Sequence, residues 1–446
     1  MVSIALASVP IFGHVMPMIG LAGQLVERGH RVRFLTGRRF ADRVEAAGAD
    51  FRALPDEADF DDRAAHAGLD KSVRPDGVAG LRYDVANVFL RPARAQHAAL
   101  RSMLDEPADA VVVDPTFLGA ALLASDPSSA RPPVLVAGVL PLTLDSDHAP
   151  PFGLGLSPRR TPASALERLR NRALRLAVHR GVFGPVQRQY DELFRSVVGR
   201  PAPGFVMNWS TGADAIIQFS VPAFEYPRPD ATVPVRFAGP MIRPTTGDLP
   251  SWWSELDPGR PVVLVTQGTI ANDDLGELVR PTIAALAETE VQLVVTTGGT
   301  GVSELGALPG NVRAAEFLPY DQLFARVDAF VTNGGYGGVH FALAAGVPSV
   351  VAGAGEDKPE VAARVAWSGV GINLRTGRPR PAAIAAAVRR VLDDPRYRSA
   401  AAAAAGQIRE AGGVDVLLAE IERLQAGGTG RSDLPPVAVI ALDPPT

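Results

Sequence analysis

The chain has 446 residues, of which 47% are hydrophobic and 21% charged, with a net charge of −4. That length suggests two domains of ordinary size. The mild acidity, with basic residues read as scattered, excludes an obvious nucleic-acid partner, and the absence of cysteine excludes disulfides and thiol chemistry.

The N-terminal MVSIALASVP runs directly into a strand-like segment with no charged region before it, so no signal peptide is expected. No stretch of about 18 apolar residues occurs, so no membrane span is expected and the reading is a soluble, cytoplasmic protein. Strands are expected at Val2–Ser8, Arg31–Thr36, Ala110–Val113 and Pro133–Ala137, with a helix over Met16–Arg28. The region from Asp56 to Asp105 reads as polar and mostly helical. Leu140 to Pro162 reads as a long loop, and Ala163–Val198 as helix. Pro and Gly cluster without periodicity in PVRFAGPMIRPTTGDLP, which reads as a linker. A second alternating series follows, at Pro261–Thr266, Val291–Thr296, Val312–Glu316, Ala329–Thr332 and Pro348–Val351. Arg398–Leu424 is alanine-rich and helical in pattern. Alternation of this kind argues for an α/β protein of two doubly wound parallel-sheet domains. The expected limits are 1–240 and 241–424, with the last helix packing back on the first domain and 425–446 a disordered tail.

VTNGGYGGVHFALAAGVPSVV, starting at Val331, is a strand followed by four glycines in five residues and then a helix. Three readings fit it locally. It is a ligand-free tight turn, a phosphate cradle at a helix N-terminus, or a dinucleotide site with Glu356 or Asp357 as the ribose acid. It is neither GxGxxG nor a Walker loop, since no Gly-Lys-Ser/Thr follows.

EFLPYDQLFARVDAFVTNGGYGGVHFALAAGVPSVVAGAGEDKPEVAARVAWSGVGINL resembles the donor-nucleotide signature of the UDP-glycosyltransferase-like family, the inverting nucleotide-sugar transferases of GT-B fold. The N-terminal GHVMPMIGLAGQLVERGHRVRFLTG is similar to that family's acceptor-side opening. The resemblance runs from Val2 to about Leu424 and is weakest between Asp56 and Arg200. It implies two Rossmann-like domains facing a central cleft. The activity it implies is transfer of a hexose from a UDP- or dTDP-sugar to a hydroxyl of a hydrophobic natural product. It further implies no cofactor and no metal, the nucleotide sugar being a co-substrate, and leaves monomer and homodimer both open.

The same resemblance assigns roles. Asn333 stands where relatives carry a phosphate-facing histidine, and Gly338 where many place a hydroxyl. Thr269 and the run Gly334, Gly335, Tyr336, Gly337 and Gly338 are then the diphosphate loop. Phe317 matches an aromatic that stacks on the base, with core packing as the alternative, and Leu318 follows it. Phe341 replaces a ribose-binding glutamate, which keeps deoxyribose donors open. Asp357 and Lys358, with Glu356 beside them, occupy the sugar-reading position; a solvated first-turn Lys358 pairing with Glu356 or Glu360 is the plain alternative. Lysine is a rare choice here, because only Lys71 and Lys358 occur among 44 basic residues. His14, at a strand tip, matches the family's general base, and Asp114, ending AVVVD, its carboxylate partner; a capping histidine is the alternative. Phe12, Met16 and His148 are candidate acceptor-pocket residues. The remaining histidines, His30 and His340 among them, read as structural or acceptor-side. No spacing suggests a metal site, and Asp61-Asp62 and Asp273-Asp274 read as solvated helix starts. Rival functions are a catalytically silent nucleotide-binding helper, a glycolipid or sterol glycosyltransferase, and an NAD-type oxidoreductase.

Overall fold

The computed structural model describes residues 1–62, 75, 77–126, 131–242, 247–269, 272 and 274–427. Lys71, Asp273 and all but the first residues of the expected tail lie outside them. Among the described residues thirteen strands form two sheets. The first contains β1 (Ser3–Ala7), β2 (Arg31–Thr36), β3 (Asp50–Ala53), β4 (Ala110–Val113), β5 (Val134–Gly138), β6 (Ala215–Gln218) and β7 (Val235–Phe237), in the order β3-β2-β1-β4-β5-β6-β7. The second contains β8 (Val262–Thr266), β9 (Gln292–Thr296), β10 (Val312–Ala315), β11 (Ala329–Thr332), β12 (Ser349–Val351) and β13 (Gly371–Asn373), in the order β10-β9-β8-β11-β12-β13. All pairings are parallel.

Both sheets are covered on both faces, which is why their central strands are continuous apolar runs without alternation. Ala5 and Ala7 enter one core and Ile4 and Leu6 the other. In the second sheet Val263 and Val265 face one layer, and Val262 and Leu264 the opposite one. In each domain the strand order reverses direction beside the first strand, between β1 and β4 and between β8 and β11. Ligands of open parallel sheets bind at the carboxyl ends of strands at that crevice.

Some boundaries differ from the sequence reading. The segment read as a linker contains β7, a half-buried edge strand paired with β6. The helix expected from Met16 begins four residues earlier, as α1 (Phe12–Glu27), with Pro17 inside it. Asp62, read as solvated, is buried and accepts a hydrogen bond from the Phe12 N–H at 2.7 Å, satisfying a free donor of the first turn of α1. The alanine-rich C-terminal stretch is two helices, Pro395–Glu410 and Val414–Gln425, broken at Gly413 with φ of 56°. Val414, Leu417 and Ile421 of the helix Val414–Gln425 share a core with Val15 and Met18 of α1, so this helix packs against the first domain.

Candidate active site

At the first crevice, β1 leads into α1 through a short turn and presents His14 from the helix's first turn. β4 ends at Val113, placing Asp114 beside it. His14 Nδ1 lies 3.2 Å from Asp114 Oδ1. Asp114 is fully buried and its two oxygens are saturated by donors. Val9 N–H donates to Oδ2 at 2.7 Å, and Thr116 N–H and Oγ1 donate to Oδ1 at 2.8 and 2.6 Å. Burial alone would raise the Asp114 carboxyl. The adjacent His14 imidazole and the hydrogen bonds from His14 and Thr116 outweigh it and hold the group below the ordinary carboxylate range. An ionised Asp114 accepts from Nδ1–H, which fixes the tautomer and leaves His14 Nε2 as the ring's proton acceptor. Phe89, with its ring centroid 6.3 Å from that of His14, walls the ring.

At the second crevice, β11 ends in Thr332-Asn333-Gly334-Gly335, and the helix α2 (Tyr336–Ala344) follows with Gly335 at its N-cap. No side chain caps that end, so no side chain takes up the first-turn N–H groups of α2, the arrangement in which a helix N-terminus can receive an anion. Gly334 has φ of 91°, and a Cβ there would fall 2.8 Å from Val351. A Cβ at Gly335 or Gly337 would meet nothing within 4 Å, so the loop is open on that side. Asn333 is buried, and its amide donates to the Gln267 carbonyl, tying the β11 tip to the β8 tip. Its amide thus has a structural partner already. Thr269, two residues after Gln267, is exposed. Gly353 is required by close approach, because a Cβ there would sit 1.9 Å from the Asn333 carbonyl oxygen.

The aromatic residues separate into distinct roles. Phe317 is 63% exposed at the end of β10, while Leu318 is core, packed with Phe324 and Phe330. Leu318 therefore has no side-chain surface to offer a base. Phe341 stands edge-on to Tyr320 with ring centroids 5.6 Å apart. Tyr336 turns its side chain away from the loop and receives a hydrogen bond from Gln218 of β6 at 2.9 Å. Only its backbone is free to serve the loop.

These contacts belong to an interdomain seam that the sequence did not reveal. His340 Nε2 lies 2.9 Å from Ser220 Oγ and its Nδ1 2.8 Å from the Tyr336 carbonyl; burial lowers its basicity to a pKa of about 4. Helix α3 (Lys358–Trp367) sends Arg364 to Glu225 at 2.6 Å and to Glu360 at 3.0 Å, all buried. Glu225 also pairs with Arg228 and accepts the Leu142 N–H. Burial pushes the Glu225 carboxyl up, but Arg364 and Arg228 together hold it below the ordinary range. Glu360 Oε1 accepts from the N–H groups of Gly153 and Gly155 at 2.9 and 2.8 Å. The long loop that holds the acceptor-pocket candidate His148 is thereby locked to the helix whose N-terminus carries the sugar-site candidates.

Asp357 is the N-cap residue of α3, and its Oδ2 is buried without a hydrogen-bond partner. Burial pushes this carboxyl up to about 6, with Lys358 and His14 working against the shift and Glu356 adding to it. His14 and Asp357 are thus within electrostatic reach across the cleft. Lys358 is ion-paired with Glu356, as the plain alternative had it, but is buried where that reading had it solvated. Glu356 itself adopts φ of 57°, a left-handed conformation costly for a side chain of this kind.

Other candidates lie apart from the His14 group. Phe12 and Met16 share a face of α1 that meets the short helix Ala41–Ala46 through Arg43, whose guanidinium is 5.5 Å from the Phe12 ring centroid and whose Nη1 donates to Met16 Sδ at 3.3 Å. His148 is half-buried, and its N–H donates to Ser146 Oγ at 2.9 Å. Thr116 and Phe89 are site residues that sequence reasoning missed. Thr116 follows Asp114 by two residues, the spacing at which a hydroxyl and an N–H can both reach one carboxylate. Among the described residues no cluster of three or more His, Asp or Glu could hold a metal, and no helix is long and apolar enough to cross a membrane.

Comparison with known proteins matches the glycosyltransferase family 28 N-terminal domain over residues 12–128 and the erythromycin biosynthesis protein CIII-like C-terminal domain over 280–411. The chain is 42% identical to 4'-demethylrebeccamycin synthase of Lentzea aerocolonigenes, over 90% of this chain and 94% of the relative. It is 34% identical to UDP-glycosyltransferase 2 of Phaeomoniella chlamydospora, over 89% and 90%. Among solved structures, the calicheamicin glycosyltransferase is 27% identical with a TM-score of 0.66, covering 95% of this chain and all of that one. The glycosyltransferase of kitacinnamycin superposes with a TM-score of 0.70 at 23% identity, covering 94% and 99%, a likeness of fold.

Proposed function

Because this chain belongs to the UDP-glycosyltransferase-like family of GT-B glycosyltransferases, we propose that it is an inverting hexosyltransferase with His14 as general base. Glycosyl transfer to natural-product acceptors is the activity its relatives share. The observation that supports the mechanism is the pairing of His14 with a buried, donor-saturated Asp114 at one crevice, opposite a glycine loop at the other.

The acceptor hydroxyl gives its proton to His14 Nε2 as its oxygen attacks the anomeric carbon. The bond from that carbon to the diphosphate oxygen breaks, and the electron pair leaves with the nucleoside diphosphate. An α-linked donor gives a β-glycoside. Asp114 stabilises the imidazolium that forms. The backbone donors of Tyr336, Gly337 and Gly338 and the N-terminus of α2 receive the developing charge, so no metal is required. Phe317 offers its exposed face to the base, and Asp357 its unpartnered oxygen to sugar hydroxyls. Phe341 cannot accept from ribose hydroxyls, so both UDP- and dTDP-sugars fit. The acceptor is a hydrophobic small molecule resembling those of the rebeccamycin and calicheamicin enzymes. A silent helper role is disfavoured by the intact His14–Asp114–Thr116 geometry.

Calorimetric titration with UDP, dTDP and NADH, followed by mass analysis of reactions with aromatic aglycones, tests this reading. Binding of a pyrimidine diphosphate and a hexose mass increment are expected. Binding of NADH alone, or nucleotide binding with no transfer to any aglycone, would contradict it.

A further inference from the structure

The helix Ala165–Leu176 is turned inside out. Its buried residues are Glu167 and Asn171, while Leu166, Leu169 and Leu176 are 77%, 61% and 51% exposed. These three are most of the large hydrophobic side chains exposed anywhere among the described residues, the others being Met1 and Phe317. They recur at the spacing that forms one stripe along a helix, with Ala165 and Ala173 exposed in the same face. The inversion is built in. Glu167 closes a capping box with Ser164 and accepts the Arg159 N–H at 3.0 Å, and Asn171 donates to the Asp147 carbonyl at 2.9 Å. Arg172 and Arg175 reach the Asp147 carboxylate, which is held at a pKa of about 2, mainly by Arg172. The polar residues that would ordinarily face water fasten the helix to the first domain.

The charge around the stripe is of one sign. Residues 159–180 contain seven arginines, at 159, 160, 168, 170, 172, 175 and 180, and one acid, Glu167, a net of +6 in a chain whose total is −4. The reading of scattered basic residues overlooks this segment. Among the described residues, no acid pairs with the side chains of Arg159, Arg160, Arg170 or Arg180, and all but the half-buried Arg170 are exposed. An apolar stripe flanked by unpaired arginines has the chemistry of a helix lying in an anionic membrane interface. Two copies meeting face to face would bring these like charges together, and a nucleic acid would leave the leucines uncovered. We propose that Ala165–Leu176 is a docking surface for the headgroup region of an anionic phospholipid bilayer. The leucines would enter the acyl boundary and the four arginines contact lipid phosphates. This surface is independent of the reaction assigned above.

The test is co-sedimentation of the full chain with vesicles of phosphatidylcholine, with and without 30% phosphatidylglycerol. Binding to the anionic vesicles, weakened by salt, is expected. Replacing Leu166, Leu169 and Leu176 together by Ser should reduce it about tenfold or more. Replacing Arg159, Arg160, Arg170 and Arg180 by Gln should do likewise, since each arginine near an anionic surface is worth roughly fivefold. Melting temperature and nucleotide affinity should stay unchanged in both variants, which keeps a folding failure distinguishable. No binding, or binding unaffected by either set, overturns the proposal. So does a solution dimer that the Leu→Ser set dissociates, which would make a second copy the occupant.

Discussion

Asp114→Asn is the sharpest perturbation of the proposed chemistry. The two carboxylate oxygens of Asp114 receive hydrogen bonds from Val9 N–H, Thr116 N–H and Thr116 Oγ1, and the His14 ring is 3.2 Å away. An amide supplies one oxygen where two are needed. With its oxygen toward Thr116, its NH2 faces the Val9 N–H; flipped, it faces the Thr116 N–H and His14. Either way a buried donor is left opposite a donor, at a cost of about 1–3 kcal/mol of stability. In the flipped arrangement the amide donates to Nδ1 and moves the imidazole proton to Nε2, where it blocks acceptance from the acceptor hydroxyl. Loss of base catalysis is worth about 10²–10⁴ in rate. Single-turnover transfer with saturating nucleotide sugar should therefore slow at least ~100-fold, while calorimetric affinity for the nucleoside diphosphate holds. A rate within threefold of wild type would refute the reasoning. Loss of nucleotide binding in parallel with rate would also refute it, by showing that Asp114 only supports the fold.

Phe317→Ala should weaken nucleotide affinity by about 1–3 kcal/mol, the value of one aromatic–base stack. Because Phe317 is largely exposed, its stability cost in denaturant should stay within about 0.5 kcal/mol; a core residue would cost several times more. Asp357, pushed up to about 6, binds its proton more tightly folded than unfolded. Its contribution to stability is full below its ordinary value and is lost as pH rises through about 6. Ionisation suits sugar binding, so KM for the nucleotide sugar should rise below pH 6 while affinity for the bare diphosphate does not; Asp357→Asn should flatten that profile. Arg364→Met leaves buried Glu225 with Arg228 as its one cation and buried Glu360 with only the Gly153 and Gly155 N–H groups, and urea unfolding should report a loss of about 3–5 kcal/mol. The neutral double variant Arg364→Met/Glu225→Gln should recover part of it.

Most central strands were legible because strands covered on both faces are short apolar runs, and β2, β4 and β11 begin and end where the pattern puts them; β6, only Ala-Ile-Ile-Gln, was not read as a strand. Of the four edge strands only β10 was read in place, and β3, β7 and β13 were not. β3 is Asp-Phe-Arg-Ala and β7 only Val-Arg-Phe, each paired on one side, so neither carries a long apolar signal. His14 and Asp114 could be picked out because each stands at a strand tip, and a strand tip is visible in sequence. Their contact depends on sheet order, β1 beside β4, which no local pattern encodes. The Glu225–Arg364–Glu360 seam joins residues up to 139 positions apart. A lone Glu or Arg carries no mark of burial, so it was invisible before folding. Leu318 shows the converse. Its neighbour Phe317 is exposed and Leu318 is core, a side-to-side alternation that one residue of offset decides.

The most direct test of the account is turnover of His14→Ala with nucleotide sugar and acceptor both saturating. If His14 takes the proton, turnover falls at least about 100-fold, with nucleoside diphosphate affinity within twofold of wild type. Unchanged turnover would show that another group takes the proton, and the catalytic assignment of the first crevice would be wrong.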